Sequence, residues 1–469
     1  MQIRFFIAAV FALALSGCAS LDQRQAELMA TSTVAIPETW SSPVPPGEAA
    51  PTALATWWRQ FGDTSLERLI DTALDAAPDI RSAQARWRQA RAARDLAVSN
   101  RYPGLDVSLG ANRSRSGGGE SRTLYDLGFD ARWEPSIFGG LGDAAEAALA
   151  DAAAAEANLE SARASLAAEV ALEYVNLRLA QQRLIIVRAN VDSQAETLRI
   201  SEWRERAGLV TLLDVEQARA NLEQSRATLP GLEVTRAGAE HRLSVLTGQV
   251  PGHLREMLQE PQPLPVPPDE IATGIPSDTL RQRPDVRAAE LALRAEIART
   301  AQSEADRYPR LNFSGAFGWQ ALSLSALGGG GSFAGSLAAS LAAPLFDAGR
   351  VENRIAAQTA VREQAFVAWE KSLLVALEDV ENALSAYVNG RKRVEAQRRA
   401  ADAANNAATI ARAQYQAGLV DFQRVLETER TRLGTQDTLV GAEADVLTAV
   451  IRLYKALGGG WDSATMEKS

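Results

Sequence analysis

A single thiol, Cys18, stands directly after Leu15-Ser16-Gly17 and closes a short apolar run at the N-terminus. A lone cysteine offers a nucleophile or an acyl acceptor and excludes an internal disulfide. Arg4 supplies positive charge, residues 5–15 an apolar stretch too short to span a bilayer, and Ser16-Gly17 the small residues of a processing site, so the segment 1–17 reads as a signal peptide. With one cysteine and two histidines, His241 and His253, no His/Cys metal cluster can be built. No glycine-rich phosphate loop and no plausible nucleophile–base–acid set is present, so no cofactor and no enzymatic activity are expected. The formal charge of −9 argues against a nucleic-acid partner, which would want a basic stripe.

The elements that must carry any other function occur twice. Pro78-Asp79-Ile80-Arg81 and Arg101-Tyr102-Pro103-Gly104-Leu105 recur 206 residues later as Pro284-Asp285-Val286-Arg287 and Arg307-Tyr308-Pro309-Arg310-Leu311. Ala207-Gly208-Leu209-Val210 recurs 210 residues later as Ala417-Gly418-Leu419-Val420. Matches in the same order mark an internal duplication. The Pro-rich stretch 261–270 is the linker between a first repeat, 63–260, and a second, 271–461. An N-terminal extended segment, 18–62, precedes them and a tail, 462–469, follows.

Within each repeat the hydrophobic period changes. Leu105, Val107, Leu109 and Ala111 alternate with polar or small residues, as do Tyr125, Leu127, Phe129, Ala131 and Trp133, which predicts strands at about 104–113 and 123–133. The second repeat predicts strands at about 310–320 and 332–343. Four such strands, apolar on one face, suit a membrane β-barrel or, on alternation alone, one layer of a soluble sandwich. A membrane barrel cannot leave an edge in lipid and needs at least ~8 strands, so it would be shared among chains; three copies supply about twelve.

The remainder reads as helix, at about 141–206, 209–247, 349–416 and 419–457. Val170, Leu177, Leu184, Val191 and Leu198 fall seven apart, as do Leu373, Val380, Tyr387, Val394, Ala401, Ala408 and Tyr415. A period of seven imposes a left-handed supercoil. Helices of this length extend ~100 Å, which suits a tube crossing a wide compartment. The fold class is therefore mainly α with a membrane β-barrel, internally duplicated. Gly208 and Gly418 supply the backbone freedom for the two helix–helix turns.

In these residues the chain resembles the TolC-like outer membrane efflux proteins, within them the lipid-anchored subgroup that serves resistance-nodulation-division pumps. The resemblance rests on Trp57-Trp58, Phe61, Asp63, Leu66, Leu69-Ile70 and Ala73-Leu74, on Ile275-Pro276-Ser277-Asp278 with Arg283-Pro284-Asp285-Val286, and on Tyr415-Gln416-Ala417-Gly418 with Val425-Leu426-Glu427. Pro78 and Thr279 depart from the family pattern. The resemblance implies lipidation of Cys18 and a homotrimeric exit duct in the outer membrane, in contact with its lipid. It implies further a helical periplasmic tunnel, a periplasmic adaptor, an inner-membrane pump and small-molecule cargo such as drugs. Type I protein secretion and metal-ion efflux are the alternative assignments.

The resemblance also carries site roles at the helical tips. Asp214 and Tyr415 fall where the family ties neighbouring tip helices together, and Glu427 where an acidic residue narrows the tunnel mouth; where some members place a basic latch this chain has Val420, and Arg424, six residues after Gly418, is the candidate substitute. Gly208, Leu209, Gly418 and Leu419 are the tip residues an adaptor would contact. Each has a plainer account: Tyr415 continues the apolar heptad, Glu427 stands on a charged helix face, and Asp214 suits a local helix cap.

Overall fold

Proline and capping residues divide the chain. The computed structural model describes residues 20–43, 54–115, 117, 120–268, 271 and 274–460. Cys18, the signal segment, Asp269-Glu270 of the linker and the tail 462–469 lie outside the described residues. Helices α1 (Leu21–Met29), α2 (Thr64–Ala76) and α3 (Pro78–Ser99) lead to strands β1 (Gly104–Ser114) and β2 (Arg122–Trp133). Helix α4 (Gly140–Arg206), α5 (Leu212–Leu246) and the short α6 (Arg255–Leu258) complete the first repeat. The second runs α7 (Pro276–Gln282), α8 (Pro284–Ala305), β3 (Arg310–Ala321), β4 (Phe333–Ala342), α9 (Arg350–Gln416) and α10 (Phe422–Ala456). Pro284 opens α8 at the position where its missing N–H costs nothing, and the helix ends before Tyr308-Pro309, whose proline disfavours helical geometry in the preceding residue.

Two compact units form, and each takes segments from both repeats. The first unit includes 85–157 and 287–372 and contains the sheet. Its strands lie in the order β1-β2-β3-β4, every neighbour antiparallel, with β2–β3 joining the repeats. Register aligns Leu105, Ala131, Gly315 and Leu337 in one row across the sheet, Val107, Phe129, Phe317 and Gly335 in the next, and Leu109, Leu127, Trp319 and Phe333 in a third. These rows share one face, because side chains alternate with a period of two. The opposite face carries Asp106 opposite Asp130, Ser108 opposite Gly128, and Asp126 opposite Gln320. Among the described residues, β1 and β4 each have one unpaired edge.

In the same unit, α1 is fastened by charge. Ser20 caps its N-terminus, Asp22 pairs with Arg294 at 2.7 Å, and Arg24 pairs with Glu304 at 2.9 Å.

The second unit includes 36–84, 158–286 and 373–469. Its core holds Trp57, Trp58 and Phe61 with Leu66, Leu69, Ile70 and Ala73 of α2, and Trp57 stacks on Tyr454 at 5.5 Å. Asp63 caps α2 and accepts a 2.7 Å hydrogen bond from the Tyr174 hydroxyl; burial, then that bond, push the Tyr174 phenol up from its ordinary pKa. Burial likewise pushes Tyr454 up to about 12. Arg283 explains its own motif: its guanidinium donates to Asp285 at 2.7 Å, to Asp379 at 3.0 Å, and to the carbonyls of Ala376 and Ala456. Burial alone would raise the Asp285 carboxyl, but Arg283 outweighs it and holds that carboxyl below the usual range.

The heptad seam of α9 holds nearly throughout, with Leu373, Val380, Tyr387, Ala401, Ala408 and Tyr415 buried and Val394 alone partly covered. That of α4 does not. Val170, Leu177 and Leu184 are buried, but beyond them Asn190, Thr197 and Ser201 occupy the seam, while Val191 and Leu198 are only partly covered. Such a slip of the buried stripe is what a local break in the seven-residue period produces. It leaves the amide of Asn190 buried with neither of its polar atoms hydrogen-bonded.

Candidate functional site

The two helical turns are built alike. Gly208 (φ +71) and Gly418 (φ +75) occupy the left-handed region that side chains disfavour. The N–H of Leu209 reaches back to the Arg204 carbonyl at 2.8 Å and that of Leu419 to the Gln414 carbonyl at 2.9 Å, which satisfies helix-end acceptors that would otherwise be unpaired. Leu209 and Leu419 both project into solvent, as do Leu212 and Leu213 beside the first turn. Helices α5 and α10 begin three residues later than the expected 209 and 419, because Thr211 and Asp421 serve as their N-caps.

Asp214 is half-buried at the third position of α5 and completes a capping box with Thr211. Its Oδ2 accepts from the Thr211 N–H at 2.9 Å and from the Thr211 hydroxyl at 2.8 Å. In this arrangement the carboxylate is spent on the start of its own helix. Glu427 and Arg424 are both exposed and pair with each other along α10 at 2.9 Å. The Arg424 N–H is itself taken by the Asp421 cap at 3.0 Å.

Tyr415 is where the tips are joined. It is buried in a cluster with Ala218, Phe422 and Val425, and its ring lies 5.8 Å from that of Phe422. Its hydroxyl is 3.4 Å from Ser201 Oγ of α4. Arg204 of α4 donates to the Tyr415 carbonyl at 2.6 Å and places its guanidinium 4.5 Å from the ring centroid. One cation thus occupies both the carbonyl end of α9 and an aromatic face. The structure brings Tyr415 and Gly418 to this junction; Asp214, Glu427 and Arg424 make their polar contacts within their own helix starts.

Sequence reasoning missed Arg204, since one arginine in an arginine-rich helix has no distinguishing pattern. It also missed Glu429, which is 4% exposed on α10 and held between Arg412 and Arg432, the second at 2.8 Å. Arg412 further reaches Ser193 of α4. His241 and His253 both stand exposed.

Residues 69–249 and 275–459 match the sequence profile of the family described as outer membrane efflux protein. The chain belongs to this outer membrane family. Outer membrane protein OprJ of Pseudomonas aeruginosa is 30% identical to this efflux-family chain, covering 91% of it and 91% of OprJ. The pyoverdine export outer membrane protein OpmQ of the same organism is also 30% identical, covering 92% of this chain and 93% of OpmQ. A solved structure of the outer-membrane channel OprN is similar at a TM-score of 0.85 and 33% identity, over 92% of this chain and 99% of that one. The fold of this efflux protein is that of the TolC-like channels, as its motifs implied.

Proposed function

We propose that three copies of this chain form the exit duct of a tripartite efflux system, passing small molecules from an inner-membrane pump of the resistance-nodulation-division class and the periplasm to the cell exterior. The observation that carries this reading is the sheet: an apolar face across all four strands that ends only at Arg113 opposite Thr123, aspartates on the other face, and an unpaired edge at each end. Lipid tolerates the first feature and forbids the last, so the sheet must be closed by other copies. The aspartate-bearing face then lines a water-filled pore. The lipid anchor at Cys18 rests on the sequence pattern alone.

At the tips, Arg204 and Tyr415 form the closed-state tie, and a periplasmic adaptor docks its own helices against Leu209, Leu212, Leu213 and Leu419. It opens the duct by binding the open arrangement more tightly than the closed one. Purified protein reconstituted in a planar bilayer should give ion-conducting events and run as a trimer in native mass measurements. A monomer without conductance, or without β-strand signal, would sink the reading.

A further inference from the structure

The duplication specifies how neighbouring copies meet, beyond the bare fact of closure. Gly104 pairs with Arg132 in the first repeat as Arg310 pairs with Ala342 in the second, so β1 maps onto β3 and β2 onto β4. The β2–β3 seam therefore has an absent counterpart, the one that β4 would make with another β1. Inside the chain that seam is fastened below the strands by a stack: Phe138, which follows β2, lies 5.2 Å from Tyr308, which precedes β3. The equivalent residues are Phe346, in the Leu345-Phe346 pair that follows β4, and Tyr102, in the repeated Arg-Tyr-Pro that precedes β1. They are 91% and 68% exposed, against 42% and 51% for Phe138 and Tyr308. Two aromatics are thus left without the contact that their counterparts make.

We propose that the seam between copies repeats the β2–β3 seam in register and in its aromatic clasp. This rests on the multi-copy barrel and adds the residue pairs. As Ala131 pairs with Gly315, Leu341 stands opposite the partner subunit's Leu109, and Phe346 stacks on the partner subunit's Tyr102. Leu341 and Leu109 are both exposed in the single chain and both lie on the apolar face. Each copy offers β4 to one neighbour and β1 to the other, a head-to-tail contact that ends only when the ring closes.

Cysteine pairs test the register. Residues directly opposite have Cβ atoms about 5 Å apart, whereas diagonal neighbours stand about 7–8 Å apart, beyond a disulfide. Oxidation of outer membranes carrying Leu109→Cys with Leu341→Cys should yield a covalent trimer, while Val107→Cys or Ala111→Cys combined with Leu341→Cys should not; single-cysteine variants control for Cys18. Cross-linking through a shifted pair, or an intact trimer that no pair links, overturns the register while leaving the duct in place. Absence of any trimer overturns both. For the clasp, Phe346→Ala and Tyr102→Ala should each lower the temperature at which the trimer dissociates, and the double variant should fall no further than the lower single; fully additive losses would show that the two rings do not meet.

Discussion

Arg204 does two jobs with one guanidinium, and that shapes what substitutions at the tip should do. Removing the Tyr415 hydroxyl deletes only a long contact to Ser201, whereas Arg204→Ala removes a charged hydrogen bond and a cation–π contact, together about 2 kcal/mol. Single-channel recordings without adaptor should therefore show a larger rise in open time or conductance for Arg204→Ala than for Tyr415→Phe; equal effects would remove Arg204 from the tie. Asp214→Ala should act on the start of α5, costing about 1 kcal/mol of helix capping, with little change in conductance. Glu429 is the opposite case. Its replacement by Ala leaves Arg412 and Arg432, both partly open to water, without their carboxylate, a loss of about 1–3 kcal/mol. Thermal loss of helical signal measures it, and an unchanged midpoint would show the network to be dispensable.

At the scale of elements, the segment before α2 is tied to α9 by a carboxylate. Glu381 accepts from the N–H groups of Ser41 at 2.6 Å and Ser42 at 3.0 Å; burial would raise its pKa, but these donors outweigh burial and lower it. A depressed carboxyl contributes stability at pH above the ordinary glutamate range and loses it as pH falls through the depressed value. Hydrogen exchange at Ser41 and Ser42 should be protected at neutral pH and lose protection in acid, and Glu381→Gln should lose most of that pH dependence. Exchange insensitive to pH in the wild type would count against the tie. The turns are the other test of an element. A tryptophan at Gly418 would meet a positive φ and, beside it, the Arg204 guanidinium, so Gly418→Trp should abolish adaptor-dependent export while trimers still form. The mainly helical, duplicated fold was legible because ordered motif matches and a seven-residue period survive in any sequence that must pack long helices. The slip of the α4 seam was not, because Asn190, Thr197 and Ser201 carry no apolar signal and are buried only through packing in the folded unit. Tyr415 was legible as an apolar heptad position; its partner Arg204, 211 residues away, was not, since pairing at that separation follows from topology.

For the whole molecule, charge placement decides which ions a duct would favour. Glu427 shares its charge with Arg424, whereas the polar face of the sheet carries Asp106, Asp126 and Asp130, which the proposed ring of copies would multiply. Reversal potentials under a salt gradient should show cation preference, reduced more by replacing those aspartates with asparagine than by Glu427→Gln. Anion preference in the wild type would contradict this. The N-terminal segment has a consequence of another kind, for the order of events in biogenesis. Asp22, Arg24, Ser32 and Ser41 find their partners at Arg294, Glu304, Glu370 and Glu381, all supplied by the second repeat. This N-terminal segment is thus among the last to dock, because such distant contacts must wait for their partners to be made. The proposed cleavage and acylation at Cys18 would then precede this docking and not depend on it. Chains truncated after the first repeat should accordingly be processed as fast as full-length ones in a pulse-label experiment. A requirement for the second repeat would mean that maturation follows folding instead.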